Sequence, residues 1–281
     1  MIDLHTHSTA SDGSMSPSEL IDAAAEKGLS AIALTDHDTI DGNEEAAIAA
    51  KNKNITFIPG VELSIKWEPG EFHLLGLGIK EVSPSFKEAL EELCMLREKR
   101  NREILDKMNE LNIDVQYEEI KALSKGKVIG RPHFAAFLVN RKIVKNREQA
   151  FDRYLGKNRP FYVSKQGLDL ERAIRIIKES GGIPVLAHPM SLYVSWGKLP
   201  DLLKSFAEKG IEGIEAWHPA IKVSACKRLE TLGRSLGFHI TAGSDFHGAL
   251  RLDRKLGITA GKTKIEDSFL EIFGERKESS C

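Results

Sequence analysis

Histidine and acidic residues recur where short apolar runs end in this sequence. His5 and His7 follow the run Ile2–Leu4. Because alternate residues of a strand share a face, both imidazoles can point the same way. Asp245 and His247 repeat this two-residue spacing after a further apolar run. Imidazole and carboxylate donors without thiolates suit Mn²⁺, Fe²⁺ or Zn²⁺ in a reactive site better than a structural zinc.

Five further candidate ligands occupy comparable positions. Glu62 directly follows apolar Val61, and glutamate is almost never buried unless it is paired or binds metal. The others are Asp12 in a polar Ser-Asp-Gly-Ser loop, His37 in Thr-Asp-His-Asp, and His73 and His188 beside apolar runs. Singly, each has an ordinary explanation as a turn aspartate or a core histidine. Together the candidates provide more ligands than one ion needs. They therefore predict two or three divalent ions, an arrangement suited to phosphoryl chemistry.

Predicted helices alternate with the apolar runs that carry these residues. The clearest has Ser16 as N-cap, Pro17 in the first helical position and Glu19 completing a capping box. Further helices are predicted at Leu170–Glu179, Leu199–Lys209 and within Lys222–Leu236. Alternating strands and helices indicate an α/β protein with a parallel sheet or barrel. Because seven strand ends contribute functional residues, a barrel is favoured over a doubly wound sheet.

The middle of the chain breaks this alternation. A long helix is predicted from Pro84 to about Leu111, with shorter helical pieces at Tyr117–Leu123, Pro132–Val139 and Arg147–Leu155. We interpret residues 81–165 as a mostly helical insertion in a barrel formed by residues 1–80 and 166–281. The insertion has 18 Lys/Arg against 13 Asp/Glu, whereas the remainder has 22 against 28. This asymmetry fits anion binding beside a carboxylate-rich metal site, although most such charges are solvated helix faces.

Composition restricts the class of protein and its compartment. The chain is 41% apolar and 29% charged, which is typical of globular proteins and excludes a fibrous or disordered one. Cys94, Cys226 and Cys281 are scattered and odd in number, which favours a reducing compartment. The sequence has no apolar run of membrane-span length and no recognisable signal peptide. We therefore expect a cytoplasmic protein without membrane association, and no obligate protein partner is inferred.

Six ordered motifs extend along nearly the whole chain. They are Asp3-Leu4-His5-Thr6-His7-Ser8, Ser11-Asp12-Gly13, Thr35-Asp36-His37-Asp38, Gly60-Val61-Glu62, His188-Pro189 and Gly243-Ser244-Asp245-Phe246-His247. In these motifs the sequence resembles the PHP (polymerase and histidinol phosphatase) family, and within it the stand-alone nucleoside 3′,5′-bisphosphate phosphatase and 5′-3′ exoribonuclease subgroup. The resemblance implies a distorted (β/α)₇ barrel with a mostly helical insertion domain.

The resemblance also implies how the ligands divide among the ions, with manganese favoured over iron and zinc. One ion would bind His5, His7, Glu62 and Asp245, and a second would bind Asp12, His37 and His247. A third would share Glu62 and add His73 and His188. The expected catalytic set comprises His5, His7, Asp12, His37, Glu62, Asp245 and His247.

Substrate contacts are expected from the insertion. Gly130-Arg131-Pro132-His133 is similar to a segment found in the insertion of this subgroup, which makes Arg131 and His133 candidate phosphate donors. Without the resemblance, the sequence supports a phosphate-binding role and an ordinary surface position for Arg131 equally. His218, at a strand end, is expected either to contact substrate or to be structural. Asp36 and Ser64 are expected to orient ligands or water.

The implied activity is metal-dependent hydrolysis of a nucleotide phosphomonoester. The expected substrate is a nucleoside 3′,5′-bisphosphate that loses its 3′-phosphate, as in pAp to AMP, with 5′-3′ trimming of short 5′-phosphorylated RNA as a second activity. Histidinol-phosphate phosphatase is the alternative within the enzyme class, and the basic insertion argues against it. A non-catalytic PHP module would have lost ligands, and an amidohydrolase-like deacylase would show a carboxylated lysine or another ligand order.

Overall fold

Seven strands form one sheet in sequence order. The computed structural model describes residues 1–124 and 128–274, so Cys281 lies outside the described residues. The strands are β1 (Ile2–Asp3), β2 (Ala31–Leu34), β3 (Thr56–Ile65), β4 (Phe72–Leu77), β5 (Ile183–Leu186), β6 (Gly213–Trp217) and β7 (His239–Ala242). The Asp245 N–H donates to the His5 carbonyl at 2.9 Å, which brings the chain beyond β7 against the chain beyond β1. The sheet is therefore a nearly closed barrel, as predicted.

Strand β4 departs from the parallel arrangement. It pairs antiparallel with both β3 and β5, whereas the other neighbouring strands pair in parallel. The candidate ligand on this strand lies near its amino end, because His73 is the second residue of β4. Since β4 runs in the opposite direction, its amino end lies at the same rim as the carboxyl ends of the parallel strands. Strand β3 also continues beyond Glu62, because its last residues pair with β4.

Nine α-helices are present in the described ranges. They are α1 (Pro17–Glu26), α2 (Asn43–Ala50), α3 (Pro84–Glu110), α4 (Tyr117–Leu123), α5 (Arg131–Asn140), α6 (Arg147–Ala150), α7 (Leu170–Glu179), α8 (Leu199–Lys209) and α9 (Val223–Ser235). A π-helical turn, Phe151–Leu155, follows α6. The capping box between Ser16 and Glu19 is formed as predicted, while α2 was not anticipated. No helix in these ranges has both the length and the apolarity needed to cross a membrane.

Helix α3 links the barrel to the helices between β4 and α7. Its first half packs Phe86 and Leu93 into the hydrophobic cluster around the barrel. Its second half packs Ile104 and Met108 into a separate buried cluster with α4, α5 and the π-helical turn. The helix is continuous over 27 residues, so its middle turns lie where the two cores meet. Side chains from those turns reach the rim of the barrel.

Candidate metal centre

The nine candidate ligands lie together at one rim of the barrel. Their donor atoms form four groups, and within each group the atoms lie within 4.8 Å of one another. The groups are His5, His7 and Asp245; His7, Asp12, His37 and His247; His5, Glu62 and His188; and His37, Glu62 and His73. Because the groups share members, the residues form one continuous cluster. We call these nine residues the ligand cluster.

Glu62 occupies the middle of the ligand cluster. Its Oε2 lies 2.8 Å from His37 Nδ1, and 3.3 and 3.4 Å from the Nε2 atoms of His7 and His5. Its Oε1 lies 2.6 Å from His73 Nδ1 and 3.0 Å from His188 Nε2. Burial alone would raise the pKa of the Glu62 carboxyl, but the surrounding imidazoles hold it well below its ordinary value. Glu62 is therefore an ionised carboxylate with one oxygen directed to each of two sets of histidines.

The arrangement of the donor atoms is better suited to binding divalent ions than to hydrogen bonding within the ligand cluster. Within the described part of the chain, Asp12 Oδ1, His37 Nδ1 and Glu62 Oε2 are buried and make no hydrogen bond of acceptable geometry, although Nδ1 and Oε2 lie 2.8 Å apart and His247 Nε2 lies 3.2 Å from Oδ1. Leaving buried acceptors and donors unsatisfied is costly. The Nε2 atoms of His5 and His7 approach to 3.1 Å, and burial with nearby His247 and His37 lowers the pKa of His7 to about 3. Imidazole and carboxylate donors that converge in this way are suited to binding shared cations.

Asp245 presents its two oxygens to different neighbours. Oδ1 lies 3.5 Å from both His7 Nε2 and His247 Nδ1, within the ligand cluster. Oδ2 lies 3.2 Å from Arg251 Nη1 and 3.7 Å from Arg254 Nε. One oxygen is thus available to a metal ion while the other is held by guanidinium groups.

The backbone around Asp245 is unusual. Asp245 and His188 have positive φ values of 53° and 27°, a region that non-glycine residues rarely adopt. Such conformations persist where surrounding contacts over-determine them, commonly at functional sites. Gly243 is required by close approach, because a Cβ there would lie 2.3 Å from His5 Cβ and 2.5 Å from Glu215 Oε1. The tight chain path brings the residues after β7 against those after β1.

Glu215 is a buried acid that supports two candidate ligands. One oxygen is 3.0 Å from His5 Nδ1, and the other accepts the His188 backbone N–H at 2.8 Å. A carboxylate on the far nitrogen of a ligand histidine fixes its tautomer and orientation. Glu215 was not predicted from the sequence, although it interrupts the apolar strand β6 as Glu62 interrupts β3. The same criterion applied to β6 would have found it.

The two residues expected to orient the ligands act through loops. Asp36 accepts the Ser8 N–H at 2.8 Å and the Ser8 and Ser11 hydroxyls, which shapes the loop that carries Asp12. Ser64 donates its backbone N–H and hydroxyl to Asp38, at 2.7 and 2.8 Å. Asp38 also pairs with Arg97, a contact that the sequence did not indicate.

Five cations from the predicted insertion line a cavity of about 510 Å³ that also contains Glu62 and His73. We call four of them, Arg97, Arg100, Arg131 and Lys165, the insertion cations; the fifth is Arg147. Lys165 Nζ lies 2.7 Å from His73 Nε2, and burial together with Arg97 lowers its pKa to about 8. Arg131 pairs with Glu71 at the cavity wall. Of the four, only Arg131 was recognised, because the others lie in no motif of the sequence.

The two remaining candidates differ in position. His133 Nδ1 accepts the Gly130 N–H at 3.0 Å and so caps the start of α5. His133 as a whole residue is 4% exposed, and it is not one of the residues that line the cavity. His218 does line the cavity, with Nε2 at 3.4 Å from Asp245 Oδ2. Its Nδ1 accepts the Ala220 N–H at 3.2 Å, so the neutral ring carries its proton on Nε2.

Comparison with known proteins establishes the class of protein that this fold and site define. Residues 3–172 match the model of the PHP domain. The chain therefore belongs to the PHP family, and it is a metal-dependent phosphoesterase. The residues that converge at the barrel rim accordingly suit divalent metal ions.

Particular relatives cover almost the entire chain. A 5′-3′ exoribonuclease of Haemophilus influenzae is 37% identical, over 95% of this chain and 98% of its own. A 3′,5′-nucleoside bisphosphate phosphatase of Chromobacterium violaceum is 34% identical, over 92% and 91%. A solved structure described as an amidohydrolase from Chromobacterium violaceum, with bound sulfate, is 33% identical with a TM-score of 0.86 and covers 93% of this chain and 92% of its own. These similarities extend over the barrel and the helices between β4 and α7.

The central position of Glu62 generates the first prediction. Replacing Glu62 with Gln removes a charge that faces both sets of histidines, so bound metal should fall and activity should drop by more than about a hundredfold, the upper range for losing an outer partner. Metal content measured by plasma mass spectrometry and turnover of a phosphoester report the two effects. Glu44→Gln, on the exposed first turn of α2, is the matched control. Retention of both metal and turnover in Glu62→Gln would refute the centre.

The contacts of Glu215 generate the second prediction. Glu215→Gln should weaken metal affinity about 10- to 100-fold, because the His5 ring loses its charged partner. Competition with a fluorescent chelator measures the affinity. Activity should recover at saturating metal, which a fold defect would not permit. An unchanged affinity would show that Glu215 does not act on the metal centre.

Proposed function

We propose that this protein hydrolyses the 3′-phosphate of nucleoside 3′,5′-bisphosphates, converting pAp to AMP. The observation that carries the proposal is the shared cavity, in which the insertion cations face the ligand cluster. A phosphate to be cleaved would lie at the ligand cluster, and a second phosphate that is not cleaved would lie at the insertion cations. The name of the Chromobacterium violaceum relative agrees with such a substrate.

Each part of the cavity has a distinct role in the proposal. The nine ligands would hold two or three divalent ions, with manganese favoured, divided as the family resemblance implies. Such ions, when bound, lower the pKa of water and neutralise developing charge on phosphorus-bound oxygens. Glu62 is held ionised for that purpose, whereas burial lowers the pKa of His218 and keeps its ring neutral. The His218 Nε2–H would then donate a hydrogen bond to the phosphate beside Asp245.

The insertion cations would orient the substrate. Arg97 and Arg131 are paired with Asp38 and Glu71, whereas Arg100 Nη2 is buried without a hydrogen-bond partner among the described residues. Burial and the nearby Arg131 lower the pKa of Arg100 to about 9, as expected for crowded cations. An anion between these groups would relieve that crowding. Binding energy from the remote phosphate would orient the reacting one. His133 would contribute through the start of α5 that it caps.

Short 5′-phosphorylated RNA is the second candidate substrate, since it offers the same pair of phosphates. The name of the Haemophilus influenzae relative favours it. Histidinol phosphate has one phosphate and would leave the insertion cations without an anion, which makes it the weaker alternative. We also propose a cytoplasmic location, which is supported by Cys94 and Cys226 being free thiols.

The paired anion sites predict a substrate preference. The kcat/KM for removing the 3′-phosphate of pAp should exceed that for AMP, 3′-AMP and histidinol phosphate by at least about tenfold, or about 1.4 kcal/mol. Phosphate release by metal-loaded enzyme, with the nucleoside product identified chromatographically, measures the preference. Equal rates on these compounds would show that the second phosphate is not recognised.

The position of Arg131 predicts a binding defect. Arg131→Ala should raise KM for pAp and lower kcat/KM about ten- to a hundredfold, because a charge-assisted contact of about 1.5–3 kcal/mol is lost and Glu71 is left unpaired. Metal content should not change. Arg141→Ala is the matched control, since Arg141 is an exposed arginine at the other end of α5. A normal KM in Arg131→Ala would assign Arg131 to structure alone.

A further inference from the structure

A second group of arginines lines the same cavity at a different part of the ligand cluster. Arg147 comes from α6, while Arg251 and Arg254 follow the last strand; we call these three the arginine triad. The triad adjoins Asp245, through Arg251 and Arg254, whereas the insertion cations adjoin His73, through Lys165. The cavity therefore has two cationic regions, next to different candidate metal ligands.

The triad carries more positive charge than its partners neutralise. Arg254 is only 7% exposed, and Nε atoms of both Arg251 and Arg254 are buried without a hydrogen-bond partner in the described part of the molecule. Asp253 lies 3.2 Å from Arg254 Nη1, but its side chain is 62% exposed, where an ion pair contributes little. A buried, unsatisfied guanidinium fork is suited to an oxyanion.

Contacts with Asp245 do not explain the positions of all three arginines of the triad. Arg251 and Arg254 contact Oδ2 of Asp245, whereas Arg147 Nη1 donates to the Leu250 carbonyl at 3.2 Å. Arg147 thus crosses from the helical segment to the loop after β7. Its guanidinium lies 5.4 Å from the centre of the Phe151 ring, and that of Arg131 lies 5.8 Å from the same centre. The aromatic ring therefore contacts both cationic regions, an arrangement suited to a strand of nucleotides.

We propose that the arginine triad binds a third phosphate, the one that follows the cleaved linkage in a 5′-phosphorylated oligonucleotide. The inference rests on the proposed function and extends it from pAp to RNA chains. The first phosphate would lie at the insertion cations, the second at the ligand cluster and the third at the triad. A trinucleotide, pApApA, is the shortest such RNA with all three.

The reaction at the second phosphate is the same for pAp and for the chain. Water oxygen bonds to that phosphorus, the bond from phosphorus to O3′ of the first nucleotide breaks, and a proton of the water ends on O3′. The products are AMP and a shortened chain. Since the attacked phosphorus stays on the shortened chain, the chain carries a 5′-phosphate and can bind again. The third phosphate also remains on the shortened chain. A site that binds it would therefore hold the part of the RNA next to the attacked phosphorus.

A matched pair of substrates tests the triad with the metal-loaded full-length enzyme. One is pApApA, and the other is the same trinucleotide with a neutral methylphosphonate at its second linkage. AMP release should be about ten- to a hundredfold more efficient in kcat/KM on pApApA, the range for a charge-assisted contact. This preference should fall below about threefold in Arg147→Gln and Arg251→Gln. It should persist in Arg153→Gln, whose exposed arginine contacts Tyr154.

Because the readout is a ratio between two substrates, a general loss of activity in a variant does not affect it. Equal efficiency on the two trinucleotides in the unmodified enzyme would overturn the inference, as would a preference that survives both triad substitutions. If pAp is hydrolysed but neither trinucleotide releases AMP, the third-phosphate site fails and the proposed function stands. If pAp is preferred no more than AMP, the proposed function fails whatever the trinucleotides show.

Discussion

The burial of the Glu62 carboxylate among imidazole nitrogens constrains the rest of this structure. An ionised carboxylate away from water is costly unless charge and hydrogen bonds compensate it. Five histidines lie close to its two oxygens, yet Oε2 makes no hydrogen bond of acceptable geometry with any described residue, although His37 Nδ1 is 2.8 Å away. Divalent cations resolve this conflict, because they accept carboxylate and imidazole donors together. A metal centre formed by these residues would couple metal binding to folding.

The barrel and its buried acids meet this constraint by fixing the ligands in position. Strand ends supply ligands from several parts of the sequence, and the antiparallel β4 delivers His73 to the same rim from its amino end. Glu215 and Asp36 then restrain His5 and the loop that carries Asp12. The helical segment that begins with α3 adds a cationic wall, because α3 is anchored in both hydrophobic clusters and places Arg97 and Arg100 between them.

Much of this arrangement could be predicted from the sequence, for identifiable reasons. Residues such as His5 and His7 stand at the ends of apolar runs, so local periodicity marks both the strand and its ligand. The sequence does not indicate the direction of β4, because a short buried strand has the same apolar pattern in either orientation. Arg97 and Arg254 could not be singled out, since nothing local distinguishes a cavity arginine from a solvated one. Glu215 could have been predicted, because a glutamate inside an apolar strand is the criterion that identified Glu62.

We propose that the ligand cluster is one multinuclear metal centre. Calorimetric titration of Mn²⁺ into metal-free protein tests it most directly, since stoichiometry does not depend on knowing the substrate. Two or three equivalents should bind per chain, and the melting temperature should rise as they do, because binding to the folded state stabilises it. Binding of one equivalent or none, with an unchanged melting temperature, would contradict the account.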